Sequence, residues 1–241
     1  MNDPLMTQPR MSIIIPCLNE AMVIARTLDQ VFAIDDAIEV LVSDGGSTDQ
    51  TDQLLAQYPI VNVLENVTTR SKGLNAAAAM ANSDILLFLH ADTLLPDSAV
   101  DLVTKALKDP ETIAGSFSLS FDESHPFLRF YSWVSRFNLS LFTYGDQGLF
   151  IRKKAFNDLG GFADLPFMED LEIQRRLRRK GRFIKLPQAT LTSARRFLNQ
   201  GVIRQQLRNI CLVLAFYAGV SPHKLIRYYP FAKNNKSITH S

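Results

Sequence analysis

The chain is expected to fold as one α/β domain around a mixed, mostly parallel sheet with helices on both faces. Three observations lead there. Short apolar runs of strand length recur at Met11–Ile15, Ile38–Val42, Ile60–Leu64 and Ile85–Leu89. Each is followed by helical spacing or helix-start chemistry, the alternation of a parallel sheet whose strands are buried on both faces. The turns after these runs are polar, and open α/β sheets bind ligands at the carboxyl ends of their strands. Finally, 241 residues with 46% hydrophobic content suffice for one large core.

Taken in order, Met11–Ile15 is a strand ended by Pro16, and Cys17–Glu20 is a loop. Glu20–Ile34 carries Val23, Ile24, Leu28, Val31 and Phe32 near helical spacing. Ser43–Asp49 (SDGGSTD) is turn chemistry, and Ser47 or Thr48 can cap the helix that runs to about Tyr58. Arg70–Asn75 reads as a polar loop and Leu74–Ala81 as an alanine-rich helix. His90–Thr93 (HADT) breaks the fourth strand, and Pro96–Lys108 is the next helix. Thereafter the pattern changes. Ile113–Phe121 reads as a longer strand, the aromatic-rich Pro126–Phe142 as a helix, and Gly148–Ile151 as a short strand. Helices at Lys153–Leu159 and Glu169–Lys180 and strands at Phe183–Lys185 and Ala189–Thr192 follow. Two helices, Val202–Ala218 and Pro222–Tyr229, close the chain. Residues 1–10 and 231–241 are expected to be disordered, with the main domain at 11–197 and a helical extension at 198–230.

All 24 acidic residues lie at or before Glu172, and fifteen Lys/Arg follow it. A one-sided basic segment suits phosphate groups or an anionic surface. Two distant cysteines argue against a disulfide framework and for a reducing cytoplasm. The N-terminus lacks the pattern of a signal peptide, and no apolar run is long enough to span a bilayer. The run Ile210–Tyr217, flanked by Arg204, Arg208, Lys224 and Arg227, could lie on the inner face of a membrane as a peripheral contact. Its alternative is a helix packed on the sheet or on a second copy in a homodimer. No nucleic-acid partner is expected.

Several residues could carry chemistry. Asp44, at a strand end before two glycines, can accept hydrogen bonds from a base or ribose. Asp92 can hold a divalent cation through a hard oxygen, and the cation can hold phosphates. The adjacent Glu169-Asp170 pair at a helix start can supply a general base or simply complement the helix dipole. Gly145-Asp146-Gln147-Gly148 is a flexible turn able to face a hydroxylated ligand. Arg70, Lys72, Arg195 and Arg196 suit a diphosphate. No P-loop and no dinucleotide fingerprint is present.

Six segments in order resemble the family-2 glycosyltransferases. They are Ile13–Glu20 (IIIPCLNE), Val42–Thr51 (VSDGGSTDQT), Arg70–Asn75 (RSKGLN), His90–Thr93 (HADT), Gly145–Phe150 (GDQGLF) and Met168–Leu171 (MEDL). HADT and Ser193–Phe197 (SARRF) look most like a compact bacterial subgroup. The resemblance implies the Rossmann-like nucleotide-sugar-binding fold called GT-A and a hexosyltransferase-like activity. Donor contacts would come from Pro16, Asn19, Glu20, Asp44, Arg70, Gly73, Asn75, His90 and Ala91. Asp92 matches the second acid of a D-x-D motif and would bind Mn2+ or Mg2+. Gly145, Asp146, Gln147 and Gly148 match the acceptor side, and Asp170, beside Glu169, the general base of an inverting transfer. Arg195 and Arg196 would meet phosphate.

His90 stands where the first acid of D-x-D is expected. The Q-x-x-R-W element of polymerising members is incomplete, with Asn209 in place of Trp. One sugar per encounter is therefore expected, moved to a lipid or small-molecule acceptor. Two alternatives remain at this stage. A sugar-1-phosphate nucleotidyltransferase would need a Gly-rich basic loop where Pro16–Glu20 stands. A non-catalytic nucleotide-sugar-binding module would not need the Glu169-Asp170 pair.

Overall fold

The computed structural model describes residues 8–58, 61–64, 69–195 and 201–229. Among them, eight strands form one sheet, β1 (Met11–Cys17), β2 (Ile38–Asp44), β3 (Val61–Leu64), β4 (Ile85–Phe88), β5 (Thr93–Leu94), β6 (Thr112–Phe121), β7 (Leu149–Arg152) and β8 (Arg182–Thr192). Their order is β3-β2-β1-β4-β7-β6-β8-β5. The pairs β3-β2, β2-β1 and β1-β4 are parallel, as is β6-β8, while β7 runs antiparallel to both its neighbours. The expected mixed α/β sheet is thus present.

The continuous apolar runs arise because both faces of the sheet are covered. On β1, Met11, Ile13 and Ile15 face a core built with Ile24, Leu28 and Val31 of α1 (Ile24–Ile34) and Val103 of α4 (Ala99–Ala106). Ile14 faces the opposite core with Leu74 and Ala77 of α3 (Arg70–Met80) and Ile173 and Leu177 of α7 (Glu169–Lys180). The short helices α2 (Thr51–Leu55) and α6 (Lys153–Asp158) complete the layers. Gly115 on β6 permits close packing, since a Cβ there would lie 2.4 Å from the Phe150 ring and 2.6 Å from the Ile184 carbonyl.

Several sequence expectations shift. Arg70–Asn75 is helical, not loop: Thr69 Oγ1 caps α3 by accepting the Lys72 N–H at 3.3 Å. Helix α1 starts at Ile24, and Leu18–Val23 form turns. Helix α5 (Pro126–Val134) stops well before Phe142, followed by a 3-10 turn at Ser140–Phe142. The two strands expected after Gly181 are one. Leu186 pairs with Phe117 and Ala189 with Ser118, so Pro187-Gln188 bulge out of an otherwise continuous β8. Strand β5 begins at the last residue of the expected HADT turn and pairs antiparallel with the end of β8.

Arg10 belongs to the fold, donating its backbone N–H to Ala37 O at 2.7 Å and pairing with Asp35 and Asp101. The closing helices are α8 (Val202–Tyr217) and α9 (Pro222–Leu225), with a 3-10 turn at Ile226–Tyr228. Among the described residues no helix is long and apolar enough to cross a membrane. Arg196, Phe197 and the segments expected to be disordered, apart from residues 8–10, lie outside the described residues.

Candidate active site

The parallel strands β2, β1 and β4 deliver their carboxyl ends to one edge. Two loops there are laced together. Asn19, in the left-handed region at φ 55, donates its N–H to Ser47 Oγ at 2.8 Å, and its Oδ1 accepts the Thr48 N–H at 2.7 Å. Asp44 is buried and accepts from Ser47 N at 3.0 Å and Ser47 Oγ at 2.6 Å. Gly45 N–H bonds Cys17 O at 2.8 Å, and Glu20 N–H bonds Thr51 Oγ1 at 3.0 Å. Pro16 pairs in register with Ser43 beneath these loops. Such cross-bonding holds the strand ends in place before any ligand arrives. Cys17 is no nucleophile, because burial, aided by Asp44 and Glu20, pushes its thiol up to about 12.

The turn after β4 is fixed by hydrogen bonds, and the segment after β8 is joined to the loop after β1 by an ion pair. Thr27 Oγ1 donates to Ala91 O at 2.7 Å, fixing the HADT turn on α1. The β5-β8 pairing continues into Ser193 N–H bonding Asp92 O at 3.1 Å. Two residues on, Arg195 Nη2 pairs with the Glu20 carboxylate at 2.9 Å. Glu20, Asp92 and Arg195, far apart in sequence, therefore share one rim.

Arg70 is the hub of a second cluster. Its Nη2 meets His90 Nε2 at 2.6 Å, and its Nη1 lies 3.2 Å from Glu169 Oε1. Glu169 is buried, and burial raises its carboxyl while Arg70 pulls it down. Asp170, one residue on, turns elsewhere. Its Oδ2 accepts the Gly145 N–H at 2.7 Å, and its Oδ1 accepts the Leu171 N–H at 2.8 Å. A Cβ at Gly145 would fall 2.7 Å from His90 Nε2 and 3.1 Å from Asp170 Oδ2, so this glycine is what lets the three groups meet. The adjacent carboxylates thus differ: Glu169 holds Arg70 from inside, and Asp170 stands half-buried beside the Gly145 turn.

Asp146 and Gln147 underlie that turn. Asp146 is pushed up to about 7 by burial and by the charges of Asp92 and Asp170, with Lys185 opposing. Its Oδ1 is buried without a hydrogen-bond partner. Gln147 is fully buried, donating to Phe142 O at 2.8 Å and accepting from Lys185 Nζ. Lys185 also donates to Ser116 Oγ at 2.9 Å and Phe117 O at 3.2 Å. Burial and the charge of Arg178 bring it down to about 7. Gly148, at φ 61, turns the chain into β7.

Two expected ligand contacts are committed to the fold. Asn75 donates to Phe162 O and accepts from Phe162 N–H, both at 2.9 Å. Gln147 is tied as described. Gly73 is buried inside α3. Lys72 pairs with Asp164 at 3.3 Å. Lys185 escaped the sequence reading, although a lysine between Phe183-Ile184 and Leu186 was the available signal.

Among the described residues no three His, Cys, Asp or Glu side chains converge as a closed metal centre. Asp92, whose charge acts on the buried Asp146, offers a carboxylate of the kind that Mg2+ or Mn2+ takes in phosphate-bearing sites, where phosphate and water supply the other ligands.

This architecture, a mixed sheet with acids and Arg70 at its carboxyl edge, is that of the GT-A fold. Residues 12–163 match the family described as Glycosyl transferase family 2, and the chain belongs to it. It is 24% identical over 210 residues to a probable glycosyltransferase of Bacillus subtilis, covering 76% of this chain and 50% of that protein. It is 25% identical over 194 residues to the beta-monoglucosyldiacylglycerol synthase of Synechocystis sp., covering 70% and 40%. The chain therefore spans about half the length, or less, of these relatives. Among solved structures, a mannosyltransferase from Pyrobaculum calidifontis in complex with GDP-Man and Mn2+ superposes with a TM-score of 0.64 at 22% identity, over 99% of this chain and 78% of that one. S. aureus TarS in complex with UDP-GlcNAc gives 0.62 at 20%, over 76% and 58%. These likenesses show the fold. Membership of this family argues against the sugar-1-phosphate nucleotidyltransferase alternative.

Proposed function

We propose that the chain moves one sugar from a nucleotide-sugar donor to an acceptor hydroxyl in a single inverting displacement, with Asp170 as general base. The observation that carries this is the placement of Asp170, oriented by the Gly145 and Leu171 N–H groups at the rim where His90 and Arg70 also stand. A carboxylate held this way keeps free lone pairs for an incoming hydroxyl. The acceptor oxygen gives its proton to Asp170 as it bonds the anomeric carbon. The bond from that carbon to the diphosphate breaks on the opposite face, and the nucleoside diphosphate leaves with the electron pair.

Asn19, Asp44 and the Ser47 turn would seat the nucleoside, and Arg70, with Arg195, would face the diphosphate. Bound on Asp92, Mn2+ or Mg2+ would neutralise the leaving diphosphate. The solved structures with UDP-GlcNAc or GDP-Man support a nucleoside-diphosphate sugar as donor class. The Synechocystis relative is named as a beta-monoglucosyldiacylglycerol synthase, which supports a lipid acceptor.

NMR of the newly formed linkage tests the mechanism. The anomeric configuration should be opposite to that of the donor, and retention would remove the single-displacement scheme.

A further inference from the structure

Helix α5, the Ser140–Phe142 turn and α8 enclose a cavity of about 190 Å3. Its walls include Tyr131, Val134, Tyr144, Ile210 and Val213. One wall residue, Gln206, is 4% exposed, and its Oε1 has no hydrogen-bond partner. A buried acceptor left in this way is costly, and a ligand donor would relieve it. Tyr144 immediately precedes Gly145, whose N–H orients Asp170. The cavity therefore backs onto the proposed base.

Its outer rim is apolar and cationic. Phe130 and Trp133 of α5 and Phe137 just beyond it are 59%, 53% and 46% exposed; the first pair is tilted and the second edge-on, with centroids 6.0 and 5.1 Å apart. Leu207, Ile210 and Leu214 on α8 are also exposed. Arg129, Arg136 and Arg204 stand exposed around this surface, and neither helix carries an acid. Contiguous exposed aromatics with a basic border match the interface of an anionic bilayer. A cavity of this size takes a chain or a ring, not a whole ligand.

We infer that the cavity is the subsite for the apolar part of the acceptor, and that the acceptor is a membrane lipid. Its chain enters between α5 and α8, a hydroxyl or amide N–H at the root of the chain meets Gln206, and its headgroup hydroxyl reaches Asp170. This rests on the glycosyltransferase reading above and names its acceptor class.

The full chain is titrated with cis-parinaric acid, a fluorescent anionic chain, and floated with phosphatidylcholine vesicles with or without phosphatidylglycerol. Saturable fluorescence is expected, together with flotation that needs phosphatidylglycerol and fades at high salt. Ile210→Trp, which fills the cavity mouth, should weaken parinarate binding about tenfold or more. Phe130→Ser/Trp133→Ser, confined to exposed positions, should lose flotation. Absence of saturable binding, binding unaffected by Ile210→Trp, or sedimentation showing this face buried in a dimer overturns the inference. Thermal shifts of the wild-type protein with UDP and GDP separate the two readings. Nucleotide stabilisation without lipid binding sinks only the lipid subsite, while loss of both sinks the transferase reading as well.

Discussion

Removing Arg70 gives the most direct test of how the site is held together. Its guanidinium meets His90 at 2.6 Å and Glu169 at 3.2 Å, with side-chain exposures of 44% for Arg70 and 4% for Glu169. Arg70→Ala leaves a buried carboxylate without its cation. Breaking a fully buried pair costs about 3–5 kcal/mol, and because water screens the half-exposed Arg70 end, a loss near 2 kcal/mol is expected here. The loss has a defined pH dependence. Burial already holds the Glu169 carboxyl above its ordinary range, and Arg70 opposes this. Without Arg70 it rises further. A raised carboxyl contributes stability below its unfolded value and loses it as pH climbs through the folded value. The deficit should therefore be small in acid, where Glu169 is protonated in both proteins, and grow with pH. Urea denaturation from about pH 4 to about pH 8 measures it. Adding Glu169→Gln should recover most of the deficit. A deficit independent of pH, or a double variant as unstable as the single one, would refute the reasoning.

Asp170→Asn should lower sugar transfer by about 10²–10⁴-fold, the usual worth of a general base, while UDP or GDP still raises the melting temperature. Undiminished turnover would move the base elsewhere. Gly145→Ala places a methyl 2.7 Å from His90 Nε2. Overpacking of about 1–3 kcal/mol and loss of transfer are expected, checked by calorimetry and product assay. Lys185 is lowered from its ordinary 10.5 to about 7, facing Asp146 and Arg178. Between those values the unfolded chain holds the proton that the folded chain releases, so wild-type stability gains with rising pH across that window. Lys185→Met should remove that slope, and identical melting curves against pH for the two proteins would count against it.

The first half of the fold was legible because its signals are local. Ile13–Ile15 and Leu86–Leu89 are buried on both faces, so composition alone marks them as strands of a parallel sheet. The second half depends on pairing. Strand β5 is two residues long and exists only through its ladder to β8, and the β8 bulge is set by the register with β6. Nothing in Thr93-Leu94 or Pro187-Gln188 announces either. The site divides similarly. The positions of Asp44, His90 and Asp170 followed from ordered motifs, whereas the directions of their side chains did not. Asn75 looked like a ligand contact, yet its amide closes on the Phe162 backbone, a partner 87 residues away.

The neighbouring acids Glu169 and Asp170 show why direction matters more than identity at this site. Successive residues of a helix point about 100° apart, so two equal carboxylates at the start of α7 cannot share one environment. Glu169 turns inward and is neutralised by Arg70. Asp170 turns to the Gly145 N–H, near Asp92 and Asp146. Burial first, and then the unfavourable charges of Asp92 and Asp170, lift Asp146 to about 7. A diphosphate approaching such a cluster would be repelled unless a cation accompanied it. On the proposed reading, Asp92 and its acidic neighbours therefore select the donor as its metal complex, while Arg70, already engaged by Glu169 and His90, presents a preset cation beside it. The two halves of the rim would then read one ligand by opposite charges, and the proton-accepting carboxylate would lie at the boundary between them.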